Sequence, residues 1–99
     1  MKVEYSKAFI KASKKLSGKH LESLQRAIAE VKTAMHISEI TDCKKLTNFS
    51  NTYRIRMGGY RAFFTCHVEV IDGVVMFEYL VPRGQAYSKE MIQKLNAKD

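Results

Sequence analysis

Four of the five arginines stand apart from the other basic residues. The chain carries 17 Lys and Arg against 10 Asp and Glu, a formal net charge of +7, which attracts polyanions such as RNA, DNA or an acidic protein. Many lysines lie in the N-terminal half, as expected for solvated helix faces. A guanidinium binds phosphate through two hydrogen bonds and stays charged at physiological pH, so these arginines are candidates for a phosphate site. They are Arg54, Arg56, Arg61 and Arg83.

A strand with period two predicts that two of these arginines share a face. Tyr53, Ile55 and Met57 point one way, so Arg54 and Arg56 point the other, away from the core. The pair Gly58-Gly59 then signals a two-residue hairpin whose residues tolerate positive φ.

The hairpin and the following strands should bring the other two arginines to the same surface. Arg61 lies near the start of the next strand, which begins at Tyr60, and Arg83 follows Pro82, which should close the third. The face on which Arg61 lies stays open, because its neighbours Tyr60, Ala62, Phe63 and Phe64 do not alternate. Tyr87, four residues further on, could transfer a proton beside the same phosphate.

Such a cluster has two interpretations. Like charges repel, and no acid is expected beside the cluster, so an anionic ligand explains it better than stability does. A phosphoryl transition state, which gains negative charge, is the obvious candidate. Alternatively, Arg54 and Arg56 only protect an edge strand from aggregation.

The N-terminal half predicts a strand and a helical hairpin. Residues 2–5 alternate as a strand does, Ser6 is a plausible N-cap, and Gly18 stands where a first helix would have its left-handed C-cap. A second helix has one apolar stripe. It comprises Leu21, Leu24, Ile28, Val31 and Met35.

The C-terminal half predicts a three-strand antiparallel meander. After a polar connection over residues 37–52, strands are expected over 53–57, from Tyr60 to about Val68 and from Val74 to Val81, with a turn at Asp72-Gly73. Ser88 can cap a terminal helix. The prediction is one α+β domain over residues 1–99, of order β-α-α-β-β-β-α, with the helical hairpin on one sheet face and the other face partly open. The place of the first strand stays open.

Composition restricts the class of protein further. With 45% hydrophobic residues, 99 residues suffice for one modest core without disulfides or metals. Cys43 and Cys66 lack metal or redox spacing, so two reduced structural thiols are expected, with catalytic use the alternative. No apolar run spans a bilayer and no signal peptide is evident, which predicts a cytoplasmic protein without membrane contact.

Two motifs resemble those of the RelE/ParE toxin superfamily. LTNFSNTYRIRMGGYRAFF is similar to the family's leucine-led loop, basic strand and G-Y-R start, and LVPRGQAYSKE is similar to its C-terminal R-x-x-x-Y. The order of the elements agrees over nearly the whole chain. The resemblance favours the RelE-like branch, whose members cut mRNA in the ribosomal A site by attack of the 2′-hydroxyl, without a metal or other cofactor.

The resemblance implies roles and partners. Arg61 and Arg83 would act on the scissile phosphate and its transition state. Arg54 or Arg56, of which Arg56 is favoured as catalytic, would bind phosphate or transfer a proton, and Tyr87 would orient the substrate or transfer a proton. RNA binding would involve Arg54, Lys44 and Lys45. The implied partners are a cognate antitoxin, the ribosome and mRNA. Because they should lie outside the core, Arg61→Ala and Arg83→Ala are expected to leave folding intact.

One departure keeps two other functions open. Several relatives have a histidine where this chain has Pro82. His20 and His36, expected on the helical hairpin, and His67, expected on the second meander strand, are not obvious substitutes. Glu78 is a possible base or a partly exposed strand residue. The alternatives are a ParE-like DNA gyrase inhibitor without nuclease activity and an inactive member of the fold.

Overall fold

Three helices and a five-stranded sheet form the fold in the part of the chain that the structure, a computed structural model, describes: residues 1–67 and 73–99. No helix in these ranges is long and apolar enough to cross a membrane. Short 3-10 turns lie at Ile37–Glu39 and Arg83–Gln85. The elements are β1 (Lys2–Tyr5), α1 (Lys7–Ser13), α2 (Gly18–Thr33), β2 (Cys43–Lys45), β3 (Thr52–Met57), β4 (Tyr60–Thr65), β5 (Val74–Pro82) and α3 (Lys89–Lys98).

The sheet has the strand order β1-β5-β4-β3-β2. The predicted meander is confirmed, since β3 pairs antiparallel with β4 and β4 with β5. β1 pairs parallel with β5, which settles the place of the first strand. Strand β2 was missed, because its three residues, Cys-Lys-Lys, lie in the segment predicted as a polar connection. It pairs antiparallel with β3 and forms that edge of the sheet.

Helices α1 and α2 cover one face of the sheet, called the hairpin face here. Ser6 is the N-cap of α1 as predicted, and its Oγ accepts a hydrogen bond from Phe9 N–H at 3.0 Å. The ring of Phe9 packs on that of Phe77 with centroids 5.0 Å apart. The main core lies between these helices and the sheet. Its strand residues include Ile55, Ala62, Phe64, Val75 and Phe77.

Two details of the predicted hairpin are wrong. Helix α1 ends at Ser13, so Gly18 does not cap it; Gly18, with φ of 55°, instead begins α2. Met35 lies beyond the end of α2 and is 77% exposed, so it does not belong to the buried stripe. Apolar spacing predicted the helix, but the chain turns out of the helix after Thr33.

Helix α3 covers part of the opposite face, called the α3 face here. Ser88 is its N-cap as predicted, with Oγ accepting from Met91 N–H at 3.1 Å. Met91 and Leu95 pack with Phe63 of β4 and with Ala86 in a second apolar cluster. The sheet therefore has a core on both faces, although α3 is short.

The predicted strand ends are mostly confirmed. Gly58-Gly59 forms the two-residue turn, with positive φ only at Gly58, as in type II′ hairpins. Strand β5 ends at Pro82 as predicted. Strand β4 ends at Thr65, earlier than Val68, and residues 68–72, including Asp72 of the predicted turn, lie outside the described residues.

The end of α3 is fastened to the segment that leads into β3. The Asp99 carboxylate accepts hydrogen bonds from Ser50 N–H at 2.9 Å, Asn51 N–H at 2.7 Å and Thr52 Oγ1 at 2.7 Å. Partial burial acts to raise the pKa of Asp99, but these hydrogen bonds outweigh it and hold the pKa below its usual value. We call this set of contacts the Asp99 clamp.

Replacing Asp99 with Asn should destabilise the fold by about 1 kcal/mol at neutral pH, because charge-assisted hydrogen bonds are the stronger ones. The pKa of Asp99 is lower in the folded chain than in the unfolded chain. Its contribution is therefore complete above the unfolded value, about 3.9, and is lost as the pH falls through the folded value. Urea denaturation at neutral and acidic pH measures both effects.

The matched control for this variant is Glu90→Gln. Glu90 lies on the same helix, and its one ion pair among the described residues is an exposed contact with Lys94 at 3.4 Å, so its loss should cost less than about 0.5 kcal/mol. Equal unfolding midpoints for Asp99→Asn and Glu90→Gln would contradict a stabilising clamp.

Candidate nucleic-acid interface

The register of the sheet places three arginines on the α3 face. Arg56 pairs directly with Arg61, and two pairs along the ladder Arg54 pairs with Phe63. Residues opposite each other in a ladder share a face, so these arginines lie on the side that bears Phe63. Ile55 and Ala62, the pair between them, are buried under the helical hairpin.

The end of β5 adds Arg83 and Tyr87 to this surface. Arg83 N–H donates to the carbonyl of Gly59 at 2.8 Å, which holds the backbone of Arg83 against the β3–β4 turn. The Tyr87 ring meets Phe63 edge to face, with centroids 6.3 Å apart, and its hydroxyl accepts from Arg54 Nη1 at 3.3 Å. We call these five residues the arginine surface. They are Arg54, Arg56, Arg61, Arg83 and Tyr87.

Arg61 lies at the centre of the arginine surface. Burial lowers the pKa of its guanidinium, Tyr87 acts in the opposite direction, and the positive charges of the other three arginines lower it further. The guanidinium of Arg61 therefore interacts electrostatically with the side chains of all four other residues of the arginine surface.

The expectation that Arg61 lies outside the core is wrong. The residue is 7% exposed, and its Nη1 donates to the carbonyls of Gly58 at 2.7 Å and Tyr60 at 2.9 Å. With these two hydrogen bonds the buried Arg61 side chain stabilises the β3–β4 turn. Since Arg83 is bonded to Gly59 of the same turn, Arg61 also helps to position Arg83.

The expectation that no acid lies near the arginines is also wrong. Arg56 Nη2 lies 3.5 Å from Asp42 Oδ1, and the backbone N–H of Arg56 donates to the Asp42 carbonyl at 3.1 Å. Both side chains are about half exposed, at 54% and 52%, so the ion pair contributes little stability. Asp42, in the polar connection, gave no sequence signal of this contact. It offsets part of the repulsion at one edge of the surface.

A groove opens beside the arginine surface, at the edge formed by β2. Lys44 pairs with Arg54 across the ladder and Lys45 with Tyr53, and both lysines are exposed. The groove has a volume of about 280 Å³. We call it the Phe49 groove. It is lined by Lys44, Lys45, Leu46, Thr47, Phe49, Arg54, Tyr87 and Ile92.

Sequence reasoning placed both lysines near RNA but did not find the apolar side of this groove. Leu46 and Phe49 come from the segment between β2 and β3, whereas Ile92 comes from α3. These residues are far apart in the chain, so no periodic pattern in the sequence could predict that they line the same groove. The one hint was Phe49, a large aromatic residue among polar loop residues.

The other candidate acid and base residues lie elsewhere. Glu78 is buried and accepts a hydrogen bond from Thr65 Oγ1 at 2.9 Å. His20 is on α2 against Tyr60, with ring centroids 4.9 Å apart. His36 follows α2 rather than lying on it, and His67 follows β4, with Nε2 3.0 Å from the Lys98 carbonyl. Among residues 1–67 and 73–99, no three His, Cys, Asp or Glu side chains are grouped to hold a metal ion.

Comparisons with known proteins match nearly the whole chain. The toxin RelE3 of Methanocaldococcus jannaschii is 30% identical over 88 residues, 88% of this chain and 96% of the relative. The archaeal RelE-RelB complex from Pyrococcus horikoshii OT3 matches with a TM-score of 0.68 and 26% identity, over 86% of this chain and 97% of that chain. The RelB-RelE antitoxin-toxin complex from Methanococcus jannaschii gives 0.69 and 24%, over 84% and 93%. No protein-family model matches the sequence.

These matches define the class of protein. The five-stranded sheet with a helical hairpin on one face and a C-terminal helix on the other is the fold of RelE toxins. The identity to the toxin RelE3 extends over nearly both full lengths. The chain belongs to the RelE toxin family, which confirms the resemblance inferred from its two motifs.

Cys43, on β2 and packed against the main core, should be a poor nucleophile. Burial raises the pKa of its thiol to about 12, although Arg54 acts in the opposite direction. Because the thiolate is the reactive form, iodoacetamide should alkylate Cys43 slowly at about pH 8 and faster only as the pH rises. Peptide mass spectrometry after timed quenching measures the rate at this residue. In urea, where an ordinary thiol pKa of about 8.5 returns, alkylation should be fast; equal rates in folded and unfolded protein would refute the prediction.

Proposed function

We propose that this RelE-family toxin, part of a toxin–antitoxin system, cleaves mRNA on the ribosome. The observation that carries the proposal is the meeting of four guanidinium groups and one tyrosine on one face of the sheet. Among the described residues, one acidic side chain contacts this surface: Asp42 lies at its edge, beside Arg56. The remaining positive charge suits an anionic ligand that approaches from solvent.

The proposed step is a phosphoryl transfer within the RNA. The 2′-oxygen forms a bond to the adjacent phosphorus, and the bond from phosphorus to the 5′-oxygen of the next nucleotide breaks. The 2′-hydroxyl gives up its proton and the leaving 5′-oxygen gains one, which yields a 2′,3′-cyclic phosphate and a 5′-hydroxyl end. The pentacoordinate intermediate state carries more negative charge than the substrate, so guanidinium groups stabilise it preferentially.

The geometry supports different roles for the five residues. Arg83 is exposed at the end of β5, and Arg56 is half exposed, so these two are suited to contact the phosphate. Buried Arg61 adds charge from below and holds the turn. Tyr87 is 53% exposed and is the one member whose hydroxyl can pass a proton.

The partners follow from the same proposal. Mature toxins of this kind must be restrained, and the two archaeal RelE structures contain RelB. We expect a cognate antitoxin with an acidic or amphipathic segment that folds on the toxin and covers the arginine surface. The ribosome would supply the aligned mRNA, and the net charge of +7 would assist its capture.

Arg83→Ala should lower ribosome-dependent cleavage by about 100-fold or more, the usual loss for one group that stabilises transition-state charge. Tyr87→Phe should lower it as well while retaining the ring contact with Phe63. Primer extension on mRNA, bound to ribosomes and free in solution, measures the cleavage. Lys14→Ala, at an exposed position after α1, is the matched control for loss of one positive charge.

Cuts that appear only on ribosomes, and that vanish with Arg83→Ala but persist with Lys14→Ala, would support the proposal. Full activity of Arg83→Ala would refute the assignment of this surface. No cleavage in either setting, combined with inhibition of gyrase supercoiling by the same protein, would favour the ParE-like alternative. Arg61→Ala is less informative, because it also removes two hydrogen bonds to the turn.

A further inference from the structure

The Phe49 groove combines an apolar side with a basic rim. Leu46 and Phe49 pack against the second apolar cluster while still lining the groove, and Ile92 of α3 completes that side. An aromatic ring in a surface groove offers a flat face on which another ring can stack. The groove is therefore built for a ligand with both a planar apolar part and a negative charge.

Charge at the rim points to a polyanion. Exposed Lys44 and Lys45 stand at one end, and Arg54 and Tyr87 join the groove to the arginine surface. The protein itself satisfies Arg54 incompletely: Nη1 has a long bond of 3.3 Å to Tyr87, and buried Nε has no hydrogen-bond partner among the described residues. Nε is out of reach of a ligand, so the donor capacity that Arg54 keeps for one lies at the exposed, weakly bonded end of the guanidinium, at Nη1.

We propose that the Phe49 groove binds one unstacked base of single-stranded RNA, next to the phosphate on the arginine surface. The base stacks on Phe49 between Leu46 and Ile92, and Lys44, which shares the α3 face with Arg54, contacts the phosphate on its far side. Single-stranded nucleic acids are commonly held by this pairing of aromatic stacking with basic side chains. The inference rests on the proposed function, which makes RNA the ligand.

Size favours a base over a protein segment. At about 280 Å³ the groove is at the lower limit of ligand pockets, roughly 300 Å³, and suits one ring system rather than the row of side chains that an amphipathic helix presents. The continuity of the groove with Arg54 and Tyr87 also fits a strand whose neighbouring phosphate reaches the arginines. A peptide would need no such continuity.

The absence of tryptophan from the chain gives a direct test. In a Phe49→Trp variant, the single indole reports on the groove. The probes are two hexanucleotides of 2′-O-methyl RNA, one with bases and one fully abasic, equal in charge. Because the 2′-oxygen is blocked, neither can be cleaved, so binding is measured independently of any nuclease activity.

The RNA with bases should quench the indole and bind more tightly than the abasic chain by about 5- to 150-fold at low salt, the range for one stacked base. Phe49→Leu, which retains an apolar side chain but loses the ring, should abolish most of this difference; fluorescence anisotropy of labelled RNA measures it. Ile10→Ala, at an exposed apolar position on α1 across the sheet, should leave it unchanged.

Equal binding of the two oligonucleotides would overturn the base site and leave the groove to a protein segment. So would failure of the parent protein to bind RNA at low salt. If Phe49→Leu proves too unstable to use, the quenching of Phe49→Trp still decides the question. Base-dependent binding without ribosomal cleavage would retain this site and reject the proposed function, whereas cleavage without base dependence would do the reverse.

Discussion

The pairing of β4 with both β3 and β5 is the interaction on which the arrangement of the site depends. β4 is the central strand of the order β1-β5-β4-β3-β2. Its register sets Arg61 opposite Arg56 on one side and Val81 on the other, two residues before Arg83. A shift of one residue would turn Arg61 to the hairpin face and Ala62 to the α3 face, which the core would not permit.

Gathering four guanidinium groups costs free energy, and the surroundings offset only part of it. Asp42 faces Arg56 at the edge, and two turn carbonyls accept from Arg61. Neither neutralises the surface. The cores on the two sheet faces supply the stability that holds the arginines in place, and they do so with buried rings such as Phe9, Phe63 and Phe77. Functional surfaces commonly carry such unfavourable charge, since their ligand removes it.

Local signals in the sequence predicted most of the elements, because the physics that decides them acts over a few residues. Ser6 and Ser88 cap helices, Gly58-Gly59 turns the chain, and Pro82 ends a strand, each by its own backbone chemistry. The period of two placed Arg54 and Arg56 on one face for the same reason. The family motifs then added the residues beyond the strand.

What the sequence did not predict depends on contacts between distant residues. Strand β2 is three residues long and exists because β3 offers it a partner. The burial of Arg61 depends on carbonyls that face inward only once the turn has formed. Met35 fits the apolar period of α2, yet the helix ends before it. None of these outcomes is encoded in spacing alone.

The Asp99 clamp links the stability of the fold to the shape of the Phe49 groove. The two sides of the groove come from separate elements, Phe49 from the β2–β3 segment and Ile92 from α3. Asp99, at the end of α3, binds Ser50 and Asn51, the two residues that follow Phe49. These hydrogen bonds fix α3 against the segment, and so they also fix the distance between the two sides of the groove. Loss of the clamp should therefore change the shape of the Phe49 groove before it changes the sheet, because the arginines of β3 and β4 are held in place by the pairing of those two strands.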